Sequence, residues 1–269
     1  MSKFEVLCVT MKQTDFSKIE QMNINSDVVF ANQSDCVKYE ELDFGGYTAK
    51  MITTNTKGVG INRNLALTYA SADICLFADD DVCYYDGYED KIIAEFDKYL
   101  DADVFIFNFE TDDEDRKQRI YKKTKKIKFW NKMPWAGFKI AVRLSSIRKS
   151  NVWFTTLFGG GATFPSGEDS MWLNDVKKKG LNIYVSKEII GKVSFEKSTW
   201  FDGYDKKFYF GKGAYYQAAH PKTFCLWMKY FVWRTRKFGN MNKKDKIYWI
   251  KQGRKAFIKG KSFSEMIEC

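Results

Sequence analysis

Apolar residues gather in short, nearly continuous runs closed by polar turns. Residues 4–10 form one such run, residues 27–31 a second that ends at Asn32-Gln33-Ser34, and residues 51–54, 74–78 and 103–109 three more. Runs of this length, apolar on both alternating sets of positions, predict strands covered on both faces. The period changes between them. Ile61, Leu65 and Tyr69 recur at helical spacing after the turn Gly58-Val59-Gly60, and residues 88–100 carry a second helical pattern. Strand and helix alternating over about 110 residues predict an α/β domain with a Rossmann-like sheet.

Further along, residues 130–153 read as a strand with surrounding loops, and Glu168-Asp169 opens an apolar helix start. From Gly213 the chain becomes helical, aromatic and basic, with a boundary at His220-Pro221. The predicted organisation is a domain over residues 1–200 followed by a C-terminal helical extension over 201–269. The domain has two parts, residues 1–110 and 111–200. With 269 residues and 45% hydrophobic content, the chain has ample material for a core.

Charge changes this picture. Lys and Arg number 44 against 34 Asp and Glu, but residues 1–115 hold 9 basic and 24 acidic side chains, residues 116–200 hold 19 and 5, and residues 201–269 hold 16 and 5. An acidic front half followed by a basic remainder suits a cation-binding centre beside surfaces that attract phosphate or anionic lipid; ordinary solvated faces are the plainer account. The densest basic stretch, residues 116–132, follows the acidic run Asp112-Asp113-Glu114-Asp115 and reads as a surface insertion or lid. Interleaving with Ile127, Phe129 and Trp130 suits an interfacial segment, and no specific nucleic-acid partner is expected. One His and six Cys without paired spacing leave little material for a zinc centre. The N-terminus has no signal-peptide pattern and no window supplies a spanning helix, so a cytoplasmic location is expected.

The candidate chemistry begins at Asp79-Asp80-Asp81, which closes the run 74–78. Three adjacent carboxylates at a strand end repel one another and lose hydration, which calls for a compensating cation at the edge where open α/β sheets bind ligands. In a strand, Asp79 and Asp81 would point to the same side. A dehydrogenase or P-loop reading fails, because Gly58 and Gly60 have no third glycine at the required place.

Lys57-Gly58-Val59-Gly60 with Arg63-Asn64, then Phe77-Ala78-Asp79-Asp80-Asp81, then Gly167-Glu168-Asp169, resembles the GT-A glycosyltransferases of family 2 over roughly residues 3–200, and within it the small bacterial capsule and exopolysaccharide enzymes. The resemblance implies a GT-A nucleotide-sugar-binding fold with a central, mostly parallel mixed sheet, its donor-binding part over residues 1–110 and its acceptor-side part over 111–200. It also implies Mn²⁺ or Mg²⁺ at Asp81 and Asp79, with Asp79 nearer the ribose and Asp80 beside it in the donor site. Asp169 becomes the general base and Glu168 the residue that positions the acceptor or its loop. Thr10, Asn32 and Gln33 fall where base and ribose are recognised, although the family commonly has an acid where this chain has the amides. Arg63 falls near the diphosphate, an ion pair on the helix face being the other use of that side chain; Lys192 meets phosphate or remains a surface lysine.

The implied reaction is inverting transfer of a sugar from a nucleotide sugar, expected to be a UDP-sugar, to a hydroxyl of a lipid-linked glycan in bacterial surface-polysaccharide synthesis. The alternative enzyme is a metal-dependent nucleotidyltransferase acting on a sugar phosphate. Aromatics of residues 130–153, including Trp130 and Trp135, stack a sugar or fill the core. The aromatic and basic tail rests on an anionic membrane surface at the cytoplasmic face, or packs against the domain or a homo-oligomer partner.

Overall fold

The computed structural model describes residues 2–113, 119–128, 137–194 and 203–267. Glu114, Asp115, Arg116, Phe129, Trp130, Lys132 and Trp135, all singled out in the sequence, lie outside the described residues. The chain divides into two compact units. The first comprises residues 1–57, 61–154 and 172–198; the second comprises 58–60, 155–171 and 199–269.

The first unit is a mixed sheet with helices. Its strands are β1 (Phe4–Met11), β2 (Asp27–Gln33), β3 (Lys38–Asp43), β4 (Thr48–Thr54), β5 (Ile74–Asp79), β6 (Val82–Tyr84), β7 (Val104–Glu110), β8 (Lys125–Lys126), β9 (Ile140–Arg143) and β10 (Ile183–Val193). Among the described residues they run in the order β3-β4-β2-β1-β5-β9-β7-β10-β6, with β8 beside β10. Strands β4, β2, β1 and β5 are mutually parallel, and β9 is inserted antiparallel between β5 and β7. The helices are α1 (Lys18–Gln21), α2 (Val59–Tyr69), α3 (Tyr88–Lys98), α4 (Leu144–Ser150) and α5 (Glu168–Lys178). The first residues of α2 and α5 belong to the second unit.

The uninterrupted apolar runs became the central strands, as the pattern predicts for positions covered on both faces. Phe30, Phe77, Phe96, Phe105, Phe107 and Phe109 are fully buried. Trp172 of α5 stacks on Phe154 at 5.0 Å, and Phe77 meets both rings edge-on. Strand β3 was not expected. Its sequence, Lys-Tyr-Glu-Glu-Leu-Asp, is almost wholly exposed and pairs antiparallel with β4, so a charged strand protects the sheet edge. The parallel set β4, β2, β1, β5 ends along one edge, which carries Thr54, Gln33, Thr10 and Asp79.

The second unit contains α6 (Lys206–Ala219), α7 (Phe224–Arg234), α8 (Lys243–Lys259) and α9 (Phe263–Ile267). Asp205 caps α6 by accepting from the Phe208 N–H at 2.8 Å, and Pro221 opens a short turn after His220, where the sequence places a boundary. Helices α6 and α8 approach to backbone contact: a Cβ on Gly253 would run into the Phe210 carbonyl, and one on Gly213 into that of Ile250. Buried Lys246 donates to the carbonyls of Thr235 (2.7 Å) and Phe238 (2.9 Å), satisfying acceptors just beyond α7. Among the described residues, no helix is long and apolar enough to cross a membrane.

Candidate active site

In the first unit the β1–β5 pairing brings Val9 level with Asp79, so the residues that follow each strand meet beyond the sheet edge. Thr10 Oγ1 donates to Asp80 Oδ2 at 2.5 Å, and Lys18 Nζ donates to the Asp80 carbonyl at 3.0 Å. Arg63 reaches over from α2 and its Nη2 lies 2.9 Å from Asp79 Oδ1. That guanidinium is buried, sits 5.4 Å from the centre of the Phe154 ring, and packs where Gly137 leaves room, since a Cβ on Gly137 would collide with it. Of the two uses expected of Arg63 the ion pair is observed, and its partner is the first acid of the trio.

The third acid differs. Its carbonyl accepts the Ser194 N–H at 3.1 Å, while Asp81 Oδ1 is buried with no hydrogen-bond partner among the described residues. Burial, then the neighbouring charges of Asp79 and Asp80, pushes the Asp81 carboxyl up to about 7. The strand alternation used to align Asp79 with Asp81 does not operate, because β5 ends at Asp79 and the chain turns through Asp80 and Asp81 into β6. Asp79 is neutralised by Arg63 and Asp80 is held by Thr10, which leaves Asp81 as the carboxylate that needs an external charge.

These groups fit a hard divalent cation. The described residues contain no cluster of three or more His, Cys, Asp or Glu side chains able to hold a metal alone. Mg²⁺ and Mn²⁺ sites that use substrate phosphates need only one or two carboxylates, the other positions being filled by phosphate and water oxygens. Asp81 would supply one such ligand, and a cation there would favour its charged form against the burial and neighbouring charges that raise its pKa.

Asn32 and Gln33 part company. Asn32 is fully buried; its Oδ1 accepts from Gln13 N–H at 3.0 Å, and its Nδ2 donates to Gln13 C=O (2.9 Å) and Thr53 Oγ1 (3.1 Å). Those bonds engage both amide protons, so its observed task is to fix the loop after β1. Gln33 is half-buried at the strand end. Lys192 lies exposed on β10, opposite Cys83 of β6.

Lys139 was not singled out by sequence reasoning. It closes the turn Gly137–Lys139 just before β9, is 4% exposed, and no carboxylate among the described residues pairs with it. Burial pulls its ammonium down to about 8. Because Leu76 pairs with Ala141, the antiparallel register carries Lys139 towards the β5 end that bears Asp79. The available signal was a single charge at the head of the apolar run Ile140-Ala141-Val142.

The acidic pair Glu168-Asp169 belongs to the second unit, in the first turn of α5, where the helix dipole favours carboxylates. Glu168 Oε2 accepts the Gly167 N–H at 3.1 Å, and a Cβ on Gly159 would stand 2.9 Å from its carboxyl group. Gly167 has φ 124°, a conformation that favours glycine, and a Cβ there would meet the Tyr215 ring at 2.7 Å. Lys212 of α6 is buried and attracted to Glu168, and burial draws its ammonium down to about 8. Two glycines and a buried lysine thus confine Glu168 at the start of the helix that presents Asp169.

A family model described as glycosyl transferase family 2 matches residues 36–153. The matched interval contains Arg63 and the Asp79, Asp80, Asp81 trio and stops before Glu168. Among solved structures, S. aureus TarS 1–349 in complex with UDP-GlcNAc is similar, with a TM-score of 0.61 and 13% identity, covering 97% of this chain and 93% of that one. The complex of TarS 1–349 with UDP gives 0.59, 14%, 97% and 93%. A further S. aureus TarS structure gives a TM-score of 0.57 at 17% identity, covering 87% of this chain. This chain spans 44% of the length of that TarS chain. At these identities the likeness is one of fold. Comparison with curated proteins finds no match.

Proposed function

We propose, from the premise that this chain is a family 2 glycosyltransferase, that it moves one sugar from a UDP-sugar to a hydroxyl of a lipid-linked glycan in bacterial surface-polysaccharide synthesis, inverting the anomeric centre. The observation that carries the donor site is the buried Asp81 carboxylate oxygen, which has no hydrogen-bond partner among the described residues, next in sequence to Asp79, paired with Arg63, and Asp80, held by Thr10. The complexes of TarS with UDP and UDP-GlcNAc, on a similar fold, support a uridine nucleotide.

In this reading Asp169 accepts the proton of the acceptor hydroxyl as its oxygen bonds to the anomeric carbon, and the bond from that carbon to the diphosphate oxygen breaks with its electron pair leaving on the nucleotide. Glu168 fixes the loop that aims the acceptor. Asp81, with Asp79 beside it, would hold Mg²⁺ or Mn²⁺, which supplies charge neutralisation for the departing diphosphate. Arg63 holds Asp79 in place, and Lys139 adds positive charge for the diphosphate. Thr10 and Gln33 border the nucleoside, Asn32 shapes that border through Gln13, and Lys192 stands ready for phosphate at the rim.

The test is calorimetric titration with a panel of nucleotide sugars and nucleoside diphosphates, with and without Mn²⁺, followed by product analysis. UDP-sugar binding and release of UDP are expected; release of pyrophosphate from a nucleoside triphosphate would instead identify a nucleotidyltransferase.

Lys139 gives a sharper check. Lys139→Met is expected to weaken UDP binding about tenfold to 150-fold, since a charged hydrogen bond contributes about 1.5–3 kcal/mol. It should also raise the melting temperature of the ligand-free protein, because a buried unpaired ammonium is costly. UDP affinity of the parent should decline as pH rises through about 8, where Lys139 loses its proton. Unchanged affinity in Lys139→Met would remove this residue from the donor site.

A further inference from the structure

Within the second unit, the loop that leads into the acidic pair is built on the C-terminal helices. Phe158 and Phe164 stack at 5.0 Å and pack with Phe210 and Ala214 of α6 and Ala256 of α8 in one buried cluster. Phe164 lies 6.3 Å from the Phe210 ring and 5.8 Å from that of Phe257 on α8. A loop that contains Gly159, Gly160, Gly161 and Gly167 has little conformational preference of its own, so packing against α6 and α8 sets its path.

Gly211-Lys212-Gly213 interrupts α6 with two poor helix formers. Each glycine has a packing use. A Cβ on Gly211 would stand 3.0 Å from the Pro165 ring, shortly before the acidic pair, and one on Gly213 would overlap the Ile250 carbonyl of α8. Lys212 is therefore held on a helix pressed against the loop on one side and against α8 on another. It is buried, and its Nζ lies 5.4 Å from the Phe208 ring centre and 5.8 Å from that of Tyr215, one turn before it and one turn after. Tyr215 is also the ring against which Gly167 packs. A buried ammonium needs an opposite charge, and Glu168 supplies the attraction. The same carboxylate accepts the Gly167 N–H at 3.1 Å, so the backbone before α5 and the lysine of α6 act on one group.

We infer that Lys212 is a positioning residue for sugar transfer, one that holds Glu168 as a carboxylate in the first turn of α5 and, through it, sets where Asp169 stands against the acceptor hydroxyl. This rests on the reading of Asp169 as the base. The effect of Lys212 passes through Glu168, so it belongs to the transfer step and not to donor binding. Helix α6 is then a working part of the acceptor side, supplying both the charge and the aromatic wall on which the loop is built.

The experiment measures UDP release at saturating donor from UDP-GlcNAc, UDP-glucose or UDP-galactose, whichever the full chain turns over, with a bacterial membrane lipid extract as acceptor. The variants are Lys212→Met, Lys212→Arg, Glu168→Gln and Lys212→Met/Glu168→Gln, each with its UDP affinity and melting temperature. Lys212→Met should lower turnover about 100-fold, the scale set by moving a reacting group about 1 Å, with UDP affinity within about twofold of the parent. Lys212→Arg keeps the charge and stacks on aromatic rings, and should restore turnover to within about fivefold of the parent. In the Glu168→Gln background, Lys212→Met should lower turnover by less than about threefold, because an effect that passes through Glu168 is already lost.

Parent turnover in Lys212→Met would overturn the proposal, as would a further loss of about tenfold in the Glu168→Gln background. A lower melting temperature with unchanged turnover per folded molecule would make Lys212 a structural ion-pair partner only, and overturns it too. If Lys212→Met does not fold, the comparison of the double variant with Glu168→Gln decides, since the double variant leaves no charge of this pair uncompensated. Absence of UDP release by the full chain would overturn the sugar-transfer reading and this inference with it; release by the full chain with no effect at Lys212 overturns this inference alone.

Discussion

Asp81→Asn is expected to lower kcat/KM for sugar transfer by about 100-fold or more and to abolish the enhancement of UDP binding by Mn²⁺. The carboxylate that the variant loses has a buried oxygen with no protein partner among the described residues, so its charge has no evident structural use. The accompanying stability change runs the other way. Asp81 titrates near 7 in the folded chain, whereas an unfolded aspartate titrates near 3.9. Between those values the folded state holds a proton that the unfolded state has released, so stability falls as pH rises across the window.

At pH 8 and without divalent cations, the asparagine variant should therefore be more stable than the parent, by about 2–4 kcal/mol. The difference should vanish near pH 4. Differential scanning calorimetry at both pH values, with and without Mn²⁺, reads this directly. Mn²⁺ with UDP should stabilise the parent and leave the variant unmoved. An active variant with an unchanged melting temperature would remove Asp81 from the donor site.

Asp169→Asn is expected to lower kcat by about 1000-fold while UDP affinity stays within about twofold of the parent. The amide keeps the shape at the start of α5 and cannot take a proton. Its effect should thus be confined to the step in which the acceptor hydroxyl is deprotonated. Calorimetry for UDP and a transfer assay at saturating acceptor separate binding from turnover. Loss of UDP binding in parallel with kcat would reassign Asp169 to the donor; full turnover would move the base elsewhere.

Much of the candidate donor site is legible in the amino-acid sequence. Asp79, Asp80 and Asp81 close an apolar run, Thr10 closes another, and parallel strands in an α/β fold deliver such ends to one edge. The part each acid plays is not legible there. Sequence spacing places Asp79 and Asp81 on one side, but the turn at Asp80 breaks that alternation, and the division of labour comes from Arg63, Thr10 and Lys18, which are distant in the chain. Asn32 shows the same limit. Its position at a strand end suggests base recognition, and only the packed structure reveals that Gln13 and Thr53 occupy its amide protons.

The strand and helix alternation of the first half, the helix that starts at Glu168, the break at His220-Pro221 and the basic, aromatic character of the tail follow from the order of residues, because these depend on local period, backbone restriction and composition. The antiparallel insertion of β9, the burial of Lys139 without a carboxylate partner among the described residues, and the confinement of Glu168 by Gly159 and Lys212 arise only when the chain is folded. Those features depend on which distant side chains share a volume, and desolvation and charge pairing act through space rather than along the chain.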